Sequence, residues 1–195
     1  MTMSAAKPGR SSDAIELLTG QHREVEAAWS QLQAAHSSAS EVQQGLAARI
    51  IAMLSKHDAI ETQLLYPELR KVGNAQGEKL SDHSLDDHQR VRELLDEVDG
   101  KDVGDESVYE RLARCLSDVM DHVAEEEQQV FPLLRQCVSQ ERLAELGRQM
   151  ASAMELAPTH PHPNTPDSKV GATVVGAVSG LVDKARDAIR EARKG

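Results

Sequence analysis

Apolar residues return at three- and four-residue steps in four long stretches of this chain, the spacing of a buried face on an α-helix. In the first stretch Ile15, Leu18, Val25, Trp29 and Leu32 share a face with His22, and Asp13 with Glu16 has the form of a capping box at its start. Ser40 with Gln43 offers a second start. Leu46, Ile50, Met53 or Leu54, His57, Glu61, Leu64 and Leu65 carry the period onward to Pro67, whose missing N–H predicts an end or a bend. A loop with Gly73 and Gly77 as breakers follows, then a third helix from about Leu80 to Val98, with Ser84, His88, Val91 and Leu95 on its inner side. The fourth stretch places Val108, Leu112, Cys115 or Leu116, Val119, His122 and Glu126 in phase toward Val130. Pro132 interrupts it as Pro67 interrupts the second, and Leu143, Leu146 and Met150 continue the pattern beyond. Short joins make successive helices antiparallel, so the expected fold is all-α, an up-down-up-down four-helix bundle over residues 12–155.

The flanks read differently. Residues 1–11 form an irregular lead-in. Residues 156–168 are a Pro/His-rich linker in which His160 and His162 are expected to be exposed. Residues 169–195 read as a C-terminal helical extension, small and apolar as far as Val182 and mixed in charge afterwards. Its apolar part is too short to span a bilayer. Docking on the bundle is the expected use of the 170–193 helix, with self-association or contact with a membrane edge as alternatives.

Composition narrows the chemistry. One Phe, two Tyr and one Trp among 195 residues leave Leu, Val, Ile, Ala and Met to fill the core, a palette suited to packed helices. A formal charge of -10 argues against nucleic acid as a partner, because phosphate contacts need a concentrated basic surface. The two cysteines, Cys115 and Cys137, have neither the number nor the spacing of a disulfide framework, and Cys115 falls in a buried helical phase. The opening residues lack the apolar stretch of a secretion signal, and no run is long enough for a membrane span, so the cytoplasm is the expected compartment.

The candidate chemistry lies in a repeat. "HDAIETQLLYPELR" from residue 57 and "HVAEEEQQVFPLLR" from residue 122 both carry His, Glu four residues later, and an aromatic-Pro pair. Positions four apart lie on one helix face, so His57 with Glu61 and His122 with Glu126 each point one way. His22 and His88 take the same inward phase on the other two helices. Burying two carboxylates costs several kcal/mol each unless something compensates. Cationic histidines would do so in part, giving a salt-bridged polar core; metal ions would do so better. Six N/O donors exceed the four that one zinc takes. They suit two octahedral ions, with bridging carboxylates, an oxo or hydroxo bridge and an exchangeable position completing the shells. The mixed N/O set without thiolate favours iron or manganese over copper, and two nitrogen donors per ion, which let iron cycle between ferrous and ferric, favour iron over manganese or zinc. Tyr66 and Phe131 are expected to plug one end of the bundle, Tyr66 facing away from Glu61 by helical phase. The aspartates Asp86 and Asp87, beside His83, fit the start of the third helix better than support of a metal.

With "LLTGQHREVE", "HDAIETQLLYPEL", "DDHQRVRELLDE" and "HVAEEEQQVFPLL" in that order, the chain resembles the hemerythrin-like family, the hemerythrin HHE cation-binding domains, over roughly residues 12–155. The resemblance implies an antiparallel four-helix bundle around a non-haem di-iron centre. It places His22, His57, Glu61, His88, His122 and Glu126 where the family's metal ligands sit, with Glu61 and Glu126 as bridges. The chain departs from the oxygen carriers at Ser84, where they have a further His. His83, five residues before His88, should face elsewhere, and Glu126 follows its His more closely than in those proteins.

These departures argue against simple oxygen carriage. They favour a di-iron protein that reacts with or binds peroxide, oxygen or nitric oxide, with catalase-like peroxide handling first. The alternative is an oxygen or iron sensor whose occupancy is relayed to the C-terminal helix. A purely structural bundle with a polar core is the third reading.

Overall fold

The computed structural model describes residues 13–36, 40–71 and 74–164. The expected lead-in 1–11 and the helical tail 169–195 lie outside the described residues. Helix α1 runs Ala14–Ala34 and starts with the capping box read from the sequence: Asp13 accepts from the Glu16 N–H, and Glu16 accepts from the Asp13 N–H. Helix α2 spans Ser40–Ile60, passes into a π turn at Glu61–Leu65 and resumes as α3, Tyr66–Lys71. Helix α4 covers Ala75–Val98 and α5 Glu106–Glu125. A second π turn, Glu126–Val130, leads into α6, Phe131–Cys137, and α7 occupies Gln140–Met154.

Several boundaries differ from the sequence reading. Helix α4 begins five residues before Leu80, because Asn74 accepts from the Gly77 N–H and so caps a first turn that contains this supposed breaker. Ser40 hydrogen-bonds Asp102, and Gln43 reaches back to the His36 carbonyl, so the two form no reciprocal cap. Neither Pro67 nor Pro132 ends its helix. Each stands at the second position after a π turn. The wider turn moves aside the carbonyl that a proline ring would otherwise strike. Past Val98 the chain reverses through Gly100, whose φ of +73° suits a residue without a Cβ. Gln44 of α2 secures this loop, donating to Lys101 O and accepting from Val103 N–H.

Consecutive helices pack side by side, α1 on α2 and α4 on α5, and α7 lies against α1 and α2. The result is an all-α bundle, with no strand among the described residues. Its core is divided. One apolar cluster gathers Leu32, Ile50, Leu95, Leu112 and Leu116; the other gathers Leu18, Leu65, Leu69, Leu134 and Met150. Between them lies a belt of buried polar side chains. Among the described residues no helix is long and apolar enough to cross a membrane.

Candidate metal centre

Each of the four bundle helices contributes to the belt at the level where its apolar stripe is broken. His22 follows Leu18 on α1. His57 ends α2 and Glu61 opens the π turn, His88 is central in α4, and His122 near the end of α5 precedes Glu126. All six are buried, and both glutamates are fully so, at 0% exposure. Two groups of ligand atoms form, each within 4.8 Å: His22, His57, Glu61 and Glu126 in one, Glu61, His88 and His122 in the other. Glu61 belongs to both. Its Oε2 lies 3.1 Å from His57 Nε2 and 3.4 Å from His88 Nε2. Glu126 sends Oε2 toward His22 Nε2 at 3.5 Å and Oε1 toward His122 Nε2 at 3.7 Å.

The ring orientations follow one rule. Every Nε2 points to the centre, and every Nδ1 meets an outer acceptor: Glu127 for His22 (2.9 Å), Gln21 for His57 (2.8 Å), Asp58 for His88 (2.7 Å) and Asp87 for His122 (3.3 Å). A proton held on Nδ1 leaves the Nε2 lone pair free for a cation, the usual support of metal-ligating imidazole. These acceptors form a cycle. Gln21 adjoins His22 in sequence but serves His57. Asp58 adjoins His57 but serves His88, Asp87 adjoins His88 but serves His122, and Glu127 adjoins Glu126 but serves His22. One residue along a helix is about 100° around it, so the neighbour of an inward side chain faces the next helix. The sequence reading missed Gln21, Asp58 and Glu127 and set Asp87 aside as a helix-start residue. Because α4 starts at Ala75, Asp87 is mid-helix and its role is to hold His122.

Tyr66 is the main correction. In a regular α-helix it would stand about 140° from Glu61. The π turn brings the chain back to the same face after five residues, and the Tyr66 N–H donates to the Glu61 carbonyl. The hydroxyl therefore enters the centre, 2.8 Å from His88 Nε2, 3.0 Å from Glu126 Oε1, and 3.4 Å from both Glu61 Oε2 and His122 Nε2. Phe131, its counterpart after the second π turn, stacks on the His22 ring with centroids 5.7 Å apart. His83 faces outward, half exposed, and pairs with Glu125 at 3.0 Å. His160 is buried rather than exposed, because Asp99 at the end of α4 offers its Nδ1 a carboxylate at 2.8 Å. His162 is partly covered.

The buried carboxylates and imidazoles shift one another's titration. Burial works against charge on Glu61, yet His57 and His88 outweigh it and hold this carboxyl well below its ordinary range. Burial likewise opposes protonation of His88, but Asp58 and Glu61 overcome it and raise this imidazole to about 10. His22 also shifts upward, burial being outweighed by Glu126, Glu61 and Glu127. Burial and the two glutamates push the Tyr66 phenol well above its ordinary value, so it remains a hydrogen-bond donor. Among the described residues five buried side-chain atoms have no hydrogen-bond partner; one is Ser55 Oγ, and the other four, His22 Nε2, His57 Nε2, Glu61 Oε1 and Glu126 Oε2, belong to the belt. Unpaired donors and acceptors at this depth are costly, and a first-row cation between them would satisfy all four, so the residues fit such a group. Beside the centre a cavity of about 30 Å³ is bounded by the four imidazoles, Val25, Leu54, Val91, Val119 and Val123. Cys115 is buried and its thiol is raised to about 12, by burial first and the charge of Asp118 second, which removes it as a nucleophile.

A helical bundle that closes imidazoles and carboxylates around its axis in this way belongs to the class of bundle proteins able to hold a di-iron site. Residues 13–134, well over half of the chain, match the family model for the Hemerythrin HHE cation binding domain, and the chain belongs to that family. No match emerges from curated proteins or from solved structures.

Proposed function

We propose that the chain is a non-haem di-iron protein that reacts with or binds peroxide, oxygen or nitric oxide, with catalase-like peroxide decomposition as its leading activity. His22, His57, Glu61, His88, His122 and Glu126 would hold the ions. Two irons cycling between ferrous and ferric would supply the two electrons that peroxide chemistry requires. The observation that carries this reading is the set of four buried ligand atoms without a hydrogen-bond partner among six converging side chains.

The chain's own residues supply the rest. Outer acceptors fix the tautomer and aim of each imidazole. Glu61, common to both groups, would help hold both ions. The Tyr66 O–H donates toward Glu126 Oε1 from within reach of both His88 and His122, so it can orient a small guest or deliver a proton to it. The valine walls of the cavity admit a small molecule and keep bulk water from the belt.

Metal analysis and absorption spectra under peroxide, oxygen and nitric oxide test the proposal. Stoichiometric iron with rapid peroxide turnover supports it; protein grown in iron-rich medium that carries no metal overturns it. Glu61→Ala should reduce the bound metal toward one ion or none, and two retained irons with unchanged spectra would count against the shared role of Glu61. The second reading is a sensor or reversible binder that relays occupancy to the C-terminal helix; Gln89 of α4 donates to Pro163 O in the linker that precedes that segment. A stable, reversible oxygen spectrum without turnover would select it.

A further inference from the structure

The family match ends at residue 134, yet the chain beyond it reaches the support of two of the four histidines. At the end of α7, Met154 Sδ lies directly against Gln21 Nε2, and the Oε1 of the same amide accepts from His57 Nδ1. Nine residues on, Pro163 O accepts from Gln89 Nε2 at 3.1 Å. Gln89 Oε1 accepts from Arg92 Nη2 at 2.9 Å, Arg92 Nη1 donates to Asp58 Oδ1 at 2.8 Å, and that oxygen also accepts from His88 Nδ1 at 2.7 Å. Arg92 is itself buried, a cation held in place between the segment and the carboxylate that aims His88. The intervening chain is seated on the bundle: Ala157, Pro158, His160 and Pro161 are buried, and His160 is anchored on Asp99.

We propose that the segment Met154–Pro163 is an outer brace of the metal centre. It sets His57 through Gln21 and His88 through Gln89, Arg92 and Asp58, so that loading the centre with cations tightens the brace. The proposal rests on the reading of the belt as a metal centre. Gln21 and Arg92 are then positioning residues. Because coupling between two sites is reciprocal, whatever factor metal contributes to closure of the segment, closure contributes to metal affinity.

Hydrogen exchange of the full chain, with and without Fe(II) added anaerobically, tests both levels separately. Amides of residues 57–66 report on the centre; those of Leu156, Ala157, Thr159, His160 and His162 report on the brace. In the unaltered protein Fe(II) should slow both sets, the brace by ~5-fold or more. Gln89→Ala combined with Met154→Leu spares every proposed ligand and keeps apolar volume. It should bring the brace ratio toward one and weaken Fe(II) binding by the same factor, while Arg148→Ala on the outer face of α7 should change neither. A merely structural role would loosen the segment equally with and without iron and leave the ratio intact, which would overturn the assigned route. Protection of residues 57–66 without any at the brace would overturn the proposal and leave the metal centre standing. No bound iron and no protection in either set would overturn both.

Discussion

Tyr66 shows how much one phenol can alter at this centre. Its hydroxyl lies within 3.4 Å of two imidazoles and two carboxylates, fully buried, and its high pKa keeps the proton on the oxygen. Phe at this position preserves the ring that packs in the apolar cluster of Leu18, Leu65 and Met150, as Phe131 does. Tyr66→Phe should therefore retain helix content and bound metal, but lose peroxide turnover by roughly 10²-fold, the scale for removing one donor aimed at developing charge. Turnover within a factor of two of the parent protein, at equal iron content, would remove Tyr66 from the chemistry. The six inward His and Glu side chains were legible in the sequence because each falls in phase with an apolar stripe. Tyr66 was not, since its phase depends on a π turn that periodicity alone does not reveal. The outer acceptors had a faint signal, being sequence neighbours of inward residues, but which histidine each serves depends on which helix stands beside it.

Among the elements, α7 is tied to the bundle by charge as well as by Leu143, Leu146 and Met150. Arg142 grips Glu68 of α3 through two hydrogen bonds of 3.0 and 2.7 Å, and within α3 Lys71 also donates to Glu68 at 2.9 Å. At the other helix start, Asp13 Oδ2 accepts from Arg135 and Gln140. The Arg142 hydrogen bond lowers Glu68 from 4.5 to about 2, against a smaller opposing effect of burial. A carboxyl whose folded value lies below its unfolded one stabilises the fold fully above the unfolded value and loses that contribution as pH falls through the folded one. Stability should thus decline between pH 4.5 and about 2. Glu68→Gln should flatten this acid limb and cost about 1–2 kcal/mol near neutrality, the partly exposed Arg142 keeping the figure small. Urea titrations of both proteins across that range check it, and parallel acid limbs would exclude Glu68 as their source. The helices themselves were readable from capping residues and period. Their prolines misled because the π turns absorb them.

At the scale of the molecule, the polar belt separates two apolar clusters, one drawn from α1, α2, α4 and α5, the other from α1, α4, α7 and the stretches around and beyond the two π turns. Those clusters carry the hydrophobic stabilisation, and the belt detracts from it by burying two carboxylates whose oxygens are not all hydrogen-bonded. Cations that bind the folded belt and not the unfolded chain stabilise by mass action, ~2.7 kcal/mol at a hundredfold excess over Kd. For a domain of this size that corresponds to a rise in Tm of roughly 5–10 °C. Chelation should reverse the rise and leave the helical circular dichroism spectrum at 20 °C intact. A melting temperature indifferent to iron and to chelator would favour the purely structural bundle.

The sequence by itself determined the helical class, the order of the helices and the six inward donors, because a 3.6-residue period is a local property and burial follows from it. It also carried the family resemblance, since the doubled His-x-x-x-Glu segment with its aromatic-Pro pair is written in adjacent residues. Only the tertiary structure decided what surrounds those donors. Tyr66 enters the centre, Asp87 holds His122, His160 finds Asp99, Met154 at the end of α7 reaches Gln21, and Pro163 beyond it reaches Gln89, because each contact joins residues from different helices or from the chain beyond them. Local spacing fixes the direction a side chain leaves its own helix; what it meets depends on the packing of the others.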